Sequence, residues 1–300
     1  MSIKYIQIQG SSLCDGKCKI CPYKHSQVAR LKTTMSLSQF KLTLTKIHEY
    51  IQSPQKICLY LMSDSFFDKY LLERVDLTHE VFPDTLIEIS TAFGAGSDGF
   101  IREVVNALLD KKHEIWISIH GINEQTYSFL CERDFHKVVE RSIKLIKYSS
   151  GRNQIKFVGC GYSKDGQIRV FSAQDYIRFI SSLVRKAGVA SVRNIKISYI
   201  PFHNRAGNVS HSCWHPYFRR QINVFTPHFC SRPYDWLHIL ANGDVVPCCM
   251  NYNLSHIFGN IFKQSLEEIW SGEERQAYIL SQLGFEQGNI PCRYCMSPGG

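Results

Sequence analysis

The chain reads as an α/β protein: a parallel sheet closed or partly closed into a barrel, with a small α+β appendage at its C-terminal end. Three observations carry this reading. Short apolar or alternating runs exchange with amphipathic helical periods six times over about 200 residues. That alternation calls for parallel strands joined by right-handed crossovers. After Pro201 the pattern changes to a hairpin signal, Asn242-Gly243 between the runs 237–240 and 244–246, in a cysteine-rich end.

The elements follow in order. Ile3, Tyr5, Ile6 and Ile8 alternate with Lys4, Gln7 and Gln9 as a first strand, and Gly10-Ser11-Ser12 breaks it into a loop. Ser36-Leu37-Ser38-Gln39 has the form of a capping box opening a helix through Ile51. Residues 57–62 form a nearly continuous apolar run, as expected of a strand buried on both faces. Further strands are expected at 86–90, 113–119, 154–160 and 194–200. Helices are expected at 100–109, 125–130, 135–147 and 173–186, and in the appendage at 265–270. In such barrels the chemistry sits at the C-terminal ends of the strands.

Composition narrows the class. Of 300 residues, 44% are apolar and 20% charged, ordinary values for a globular protein. The first ten residues lack the apolar core of a signal peptide, and no run approaches the ~18 apolar residues of a membrane span. The chain is therefore expected to be cytoplasmic. There, twelve cysteines point to metal binding or catalysis before disulfides. The net charge of +9 comes without a dense Lys/Arg tract, so neither nucleic acid nor a membrane is expected as partner.

The chemistry concentrates at Cys14-Asp15-Gly16-Lys17-Cys18-Lys19-Ile20-Cys21, on the loop leaving the first strand. Soft thiolates select zinc, Cu(I) or iron–sulfur. A cubane held by only three of them keeps one iron open to a small molecule. Three buried cysteines, or a zinc site completed by His25, are the other readings of these residues.

The spacing resembles that of the radical S-adenosylmethionine (SAM) family. The resemblance implies a partial (β/α)6 radical SAM barrel over 1–210 and a [4Fe–4S] cluster on Cys14, Cys18 and Cys21. The open iron would chelate SAM, and one electron would cleave SAM to a 5′-deoxyadenosyl radical. Met62-Ser63-Asp64 stands where the family usually carries Gly-Gly-Glu; Asp64 keeps an acid without the glycines. Ile20 stands where an aromatic residue usually precedes the third cysteine. Ser90-Thr91-Ala92-Phe93-Gly94 resembles the family's Thr-Asn-Gly segment, and Ser118-Ile119-His120-Gly121 its Ser-x-Asp-Gly segment, with His120 replacing the acid. SAM contacts are thus implied at Tyr23, Ser63, Asp64, Thr91 and Ser118. Arg205, in the polar run after the sixth strand, is a candidate for a SAM carboxylate or an anionic substrate group. A strand-end serine, a structural histidine and an exposed loop arginine are the plainer readings of Ser118, His120 and Arg205.

At the C-terminal end, Cys230, Gly243, Cys248 and then Cys292-x2-Cys295 form a more specific pattern. Four thiolates can equally make a zinc ribbon. The pattern resembles the twitch appendage, the short form of the SPASM domain, and implies a small iron–sulfur domain over 211–300 with an auxiliary [4Fe–4S] cluster on Cys230, Cys248, Cys292 and Cys295. A full SPASM domain would need three more cysteines, and the chain ends before them. Neighbouring side chains diverge, so Cys249 is left over beside Cys248 as a hydrogen-atom donor or as a small core residue. Cys213 and Cys160 are weaker candidates for that role, and Cys58 and Cys131 read as core.

Hydrogen abstraction from an unactivated C–H bond is the implied reaction. Epimerisation of a carbohydrate or aminoglycoside, with Cys249 returning the hydrogen, is the leading expectation, as in aminoglycoside-pathway members of the family. Dehydrogenation of an aminocyclitol or sugar alcohol, with the auxiliary cluster taking the electron, is the alternative. Maturation of a ribosomal peptide is another; the absence of residues before the first strand argues against a built-in leader-binding domain. A zinc-stabilised binding protein without catalysis is the rival from a different class. A small-molecule substrate is favoured over a peptide, and the positive charge suits an acidic flavodoxin or ferredoxin as reductant.

Overall fold

The computed structural model describes residues 3–16, 18–109, 113–161, 163–164, 168–169, 171–189, 193–201, 205–206, 208–209, 230–284 and 291–295. Six parallel strands form the body of the sheet: β1 (Tyr5–Ile8), β2 (Lys56–Cys58), β3 (Leu86–Thr91), β4 (Glu114–Ser118), β5 (Gln154–Gly161) and, beyond a small hairpin of β6 (Ser163–Lys164) and β7 (Ile168–Arg169), β8 (Ile195–Pro201). The helices between them are α1 (Gln27–Leu31), α2 (Leu37–Tyr50), α3 (Leu71–Val81), α4 (Asp98–Ala107), α5 (Glu124–Cys131), α6 (Phe135–Ser149) and α7 (Ala173–Ala187). The C-terminal part holds α8 (Arg232–Asp235), β9 (Trp236–Ile239), β10 (Asp244–Val246), β11 (Gly259–Asn260), α9 (Leu266–Ser271) and α10 (Glu273–Leu283).

One nine-stranded sheet runs β11-β10-β9-β1-β2-β3-β4-β5-β8. β9 pairs parallel with β1, while β10 and β11 follow antiparallel. The C-terminal hairpin therefore continues the barrel sheet. Lys46 on α2 strengthens the attachment, its ammonium donating to the carbonyls of Ile261 and Gln264 at 2.7 Å each. The expected border at 210/211 and Cys213 lie outside the described residues. No helix among the described residues is long and apolar enough to cross a membrane.

Strand alternation sorts the side chains into two faces. Ile57, Ile87, Ile89, Ile115, Ile117, Ile155 and Phe157 pack in one core with Phe40, Leu44, Val104, Leu145 and Ile180 of the helices. The opposite face is polar. Lys56 Nζ lies 2.5 Å from Glu88 Oε2 and 2.8 Å from Glu114 Oε2, and Lys156 Nζ sits 3.8 Å from the Trp116 ring centre. Charged side chains on this face thus meet opposite charges or an aromatic ring.

Local signals hold for α2, whose Ser36–Gln39 capping box is present, and for the Asn242-Gly243 turn, where Gly243 takes φ +88. The expected strand at 57–62 is shortened to Lys56–Cys58. After Leu59 the chain turns, Met62 adopts φ 52, and Gln9 Nε2 donates to Leu61 O at 2.5 Å in place of a ladder bond. Helix α3 carries no expectation from the sequence because its inward face includes Arg74, fully buried and paired with Asp68 at 2.7 Å. A charged residue at a core position hides the helical period.

Candidate functional site

The loop from β1 to α1 is held from both sides. Gln9 is fully buried, and its Oε1 accepts from Ala241 N at 3.1 Å while its amide donates to Leu61. One side chain thereby joins the ends of β1, β2 and the C-terminal hairpin. A Cβ at Gly10 would stand 2.0 Å from Asp68 Oδ2 and 2.5 Å from Arg74 Nε, so only glycine lets the loop pass over that ion pair. Gly16 takes φ +64 as the loop turns against Tyr23.

Cys14, Cys18 and Cys21 are unpaired and half-buried on this loop. Arg133, just past α5, reaches two of them: Nη1 lies 3.4 Å from Cys18 Sγ and Nη2 4.0 Å from Cys14 Sγ. Its other edge grips Asp15, with Nε 2.6 Å from Oδ2 and Nη2 bonded to Oδ1. Tyr252 Oη lies 3.6 Å from Cys21 Sγ. Cys131, expected as core, is buried and in hydrogen-bond contact with Cys18. Burial pushes the Cys14 and Cys21 thiols up, and Cys131 followed by burial does so for Cys18. A cleft of about 320 Å³ opens over Cys18 and Cys21, bordered by Lys19, Lys24, His25 and Asn208.

The residues expected to contact SAM stand around this loop in different ways. Asp64 is buried; its Oδ1 accepts from Phe66 N at 3.0 Å and Oδ2 from Ala92 N at 2.9 Å, and burial raises its carboxyl. Thr91 hydrogen-bonds Asp64, and its Oγ1 accepts from Phe93 N at 2.9 Å. Asp64 and Thr91 thus tie the ends of β2 and β3 together. Ser63 is half-buried beside the left-handed Met62. Tyr23 is buried, its hydroxyl donating to Ser12 O at 2.6 Å. Ser118 ends β4 opposite Val158. His120 is held neutral, its pKa lowered to about 3 by burial and by the charges of Arg205 and Arg133. Burial opposes the charge of Arg205, but Tyr252, Cys21, Cys160 and Cys249 around it hold the guanidinium above its ordinary range. Arg205 and His120 therefore belong to the same neighbourhood as the thiol loop.

The second site gathers residues distant in sequence. Cys230, Cys248, Cys292 and Cys295 line one cavity with Arg232 and Met250. Helix α10 supports it: Tyr278 Oη is 3.1 Å from Cys292 Sγ, and Gln282 Nε2 donates to Cys230 O at 3.2 Å. Arg275 fixes that helix, stacking 3.7 Å over Trp270 and donating to Pro233 O at 2.9 Å. Burial pushes the Cys292 thiol up to about 11. Arg232 is held charged by Cys249 first, with Cys248, Cys230 and Cys295 adding to the effect.

Cys249 sits between the two sites. It packs against the group of Leu61, Met62, Tyr252 and Leu240 that also touches Cys14 and Cys21, and against Cys248 and Met250 on the other side.

Among the described residues no three His, Cys, Asp or Glu side chains converge tightly enough to hold a single metal ion. The thiols instead surround a cavity at one site and flank a guanidinium at the other. None of these cysteines is in a disulfide, and Arg133 and Arg232 beside them oppose the effect of burial on the thiols, toward the ionised form that a metal cluster requires. The donor sets fit clusters. Arg133, Tyr252 and Tyr278 carried no sequence signal of their own, because each meets its cysteine only through the fold.

Residues 230–296 match the SPASM family, an iron–sulfur cluster-binding domain. No curated protein matches the chain. Among solved structures, BtrN in complex with AdoMet and 2-DOIA superposes with TM-score 0.59 at 15% identity, over 98% of this chain and 94% of that one. SuiB from Streptococcus suis, bound to its precursor peptide SuiA, gives TM-score 0.65 at 14% identity, over 98% and 70%. anSMEcpe with bound AdoMet gives 0.60 at 11%, over 91% and 82%. The chain shares its fold with these three structures. The matched segment supports an iron–sulfur cluster at the C-terminal cysteines.

Proposed function

We propose that this chain is a radical SAM enzyme that epimerises a carbon of a carbohydrate or aminoglycoside. Cys14, Cys18 and Cys21 would hold the SAM-binding cluster, and Cys230, Cys248, Cys292 and Cys295 the auxiliary one. When bound, the first cluster and SAM supply a carbon-centred radical able to take a hydrogen atom from an unactivated C–H bond. The chain's own part is to aim and to quench. Ser63, Asp64, Thr91, Ser118 and Tyr23 shape the pocket at the strand ends, and Arg205 holds an anionic group there. Cys249 gives its S–H hydrogen to the opposite face of the substrate carbon. The resulting thiyl radical regains one electron and one proton, the electron coming from a flavodoxin or ferredoxin type of donor.

The observation that carries this reading is the place of Cys249, packed against both thiol sites. Two further readings have support of their own. The matched cluster-binding segment supports dehydrogenation of an aminocyclitol or sugar alcohol, for which an auxiliary cluster would supply an electron acceptor. The match to SuiB with its precursor peptide favours a peptide substrate.

Iron and sulfide after anaerobic reconstitution test the cofactor assignment. About eight irons in the native chain should fall to about four in the Cys14→Ala/Cys18→Ala/Cys21→Ala variant; no iron there would sink the auxiliary site. A Cys249→Ala variant should still release 5′-deoxyadenosine yet give no epimer, whereas undiminished product formation would overturn the donor role.

A further inference from the structure

Arg133 has a more specific role than closing a loop. Its side chain is only 7% exposed, and burying a guanidinium is costly unless its charge and its N–H groups are met. Asp15 meets one edge through two N–H bonds, at Nε and Nη2. The remaining edge faces sulfur, with Nη1 at 3.4 Å from Cys18 and Nη2 at 4.0 Å from Cys14. The cation therefore leads at Cys18, while at Cys14 the Asp15 carboxylate stands nearer, its Oδ1 accepting from Cys14 Sγ at 3.6 Å. Hydrogen bonds and positive charge at cluster sulfurs favour the state carrying the extra electron.

We propose that Arg133 raises the reduction potential of the cluster held on Cys14, Cys18 and Cys21, and that Asp15 positions it and moderates its charge. Arg133 is a positioning residue acting through the cysteine sulfurs. The inference rests on the cluster assignment made above, and its test separates the two.

The experiment is a redox titration with dithionite, followed by electron paramagnetic resonance, on the reconstituted native chain and on Arg133→Met, Arg133→Lys and Asp15→Asn. Arg133→Met should weaken one-electron reduction at least tenfold, a fall of about 59 mV. Asp15→Asn leaves the guanidinium uncompensated and should shift the potential the other way. Arg133→Lys keeps the charge without the fork and should lie between Arg133→Met and the native chain. A purely structural clamp would change iron content in both lesions without shifts of opposite sign. Shifts of the same sign, or of less than twofold in the equilibrium, overturn the proposal. Should Arg133→Met fail to hold iron, the signs of the Lys and Asn variants decide it. A native chain without a reducible four-iron signal would instead refute the cluster assignment.

Discussion

The two thiol sites are built on opposite principles. The N-terminal one is a single loop of eight residues, Cys14 to Cys21, and needs the fold only to hold it still. The C-terminal one collects Cys230, Cys248, Cys292 and Cys295 around one cavity, and exists only once α8, the β9–β10 hairpin and α10 are packed. The surroundings differ as well. The first site opens on a cleft of about 320 Å³ bordered by Lys19, Lys24 and His25, whereas Arg232, Met250, Pro233 and Tyr278 crowd the second. An open, charged site suits exchange of a small molecule, and a closed one suits holding a group in place. The comparison teaches that the same donor atoms can be set by one short loop or gathered from distant elements, with different surroundings in each case.

Removing the second site is the sharpest way to break the comparison. A Cys248→Ala/Cys292→Ala/Cys295→Ala variant should keep most 5′-deoxyadenosine release while losing the four auxiliary irons, about half of the total. Loss of all SAM cleavage would show that the two sites do not work separately. The anchoring of the first site is tested next. Gly10→Ala drives a methyl into the Asp68–Arg74 pair and should cost about 1–3 kcal/mol of stability, read as a lower urea midpoint, together with weaker iron retention by the N-terminal loop. An unchanged midpoint would mean that the pair yields without cost.

The smallest effect concerns His238, on the shared strand β9. It is fully buried, and burial followed by the charge of Arg232 lowers its pKa to about 3. The unfolded chain takes up this proton below about pH 6.5 while the folded chain does not. Its contribution to stability is therefore intact above pH 6.5 and is lost as pH falls from there toward 3, by at most about 1.4 kcal/mol per unit. Urea unfolding at pH 7.5 and 5.5 should show that loss in the native chain and a smaller one in His238→Met. Equal losses would place the titration elsewhere.

Much of the fold was legible because its signals are local. The capping box at Ser36, the Asn242-Gly243 turn and the alternation of β3, β4, β5 and β8 depend on residues a few positions apart. Helix α3 was not, since Arg74 occupies a core position, and α10 was not, since its role depends on partners in distant elements. The thiol positions could be read from spacing. Their partners could not, because Arg133 meets Asp15 across 118 residues and Tyr252 meets Cys21 across 231.

By itself the sequence determined the α/β alternation, the eight-residue thiol loop after the first strand and the cysteine pattern of the C-terminal end, for periodicity and short spacings act within one turn or one loop. Only the tertiary structure decided that the C-terminal hairpin extends the barrel sheet beside β1, that Cys249 stands between the two sites, and that a buried guanidinium faces Cys14 and Cys18. Those outcomes follow from how elements far apart in the chain are brought into register, and a contact through space leaves no mark on residues that are not neighbours in sequence.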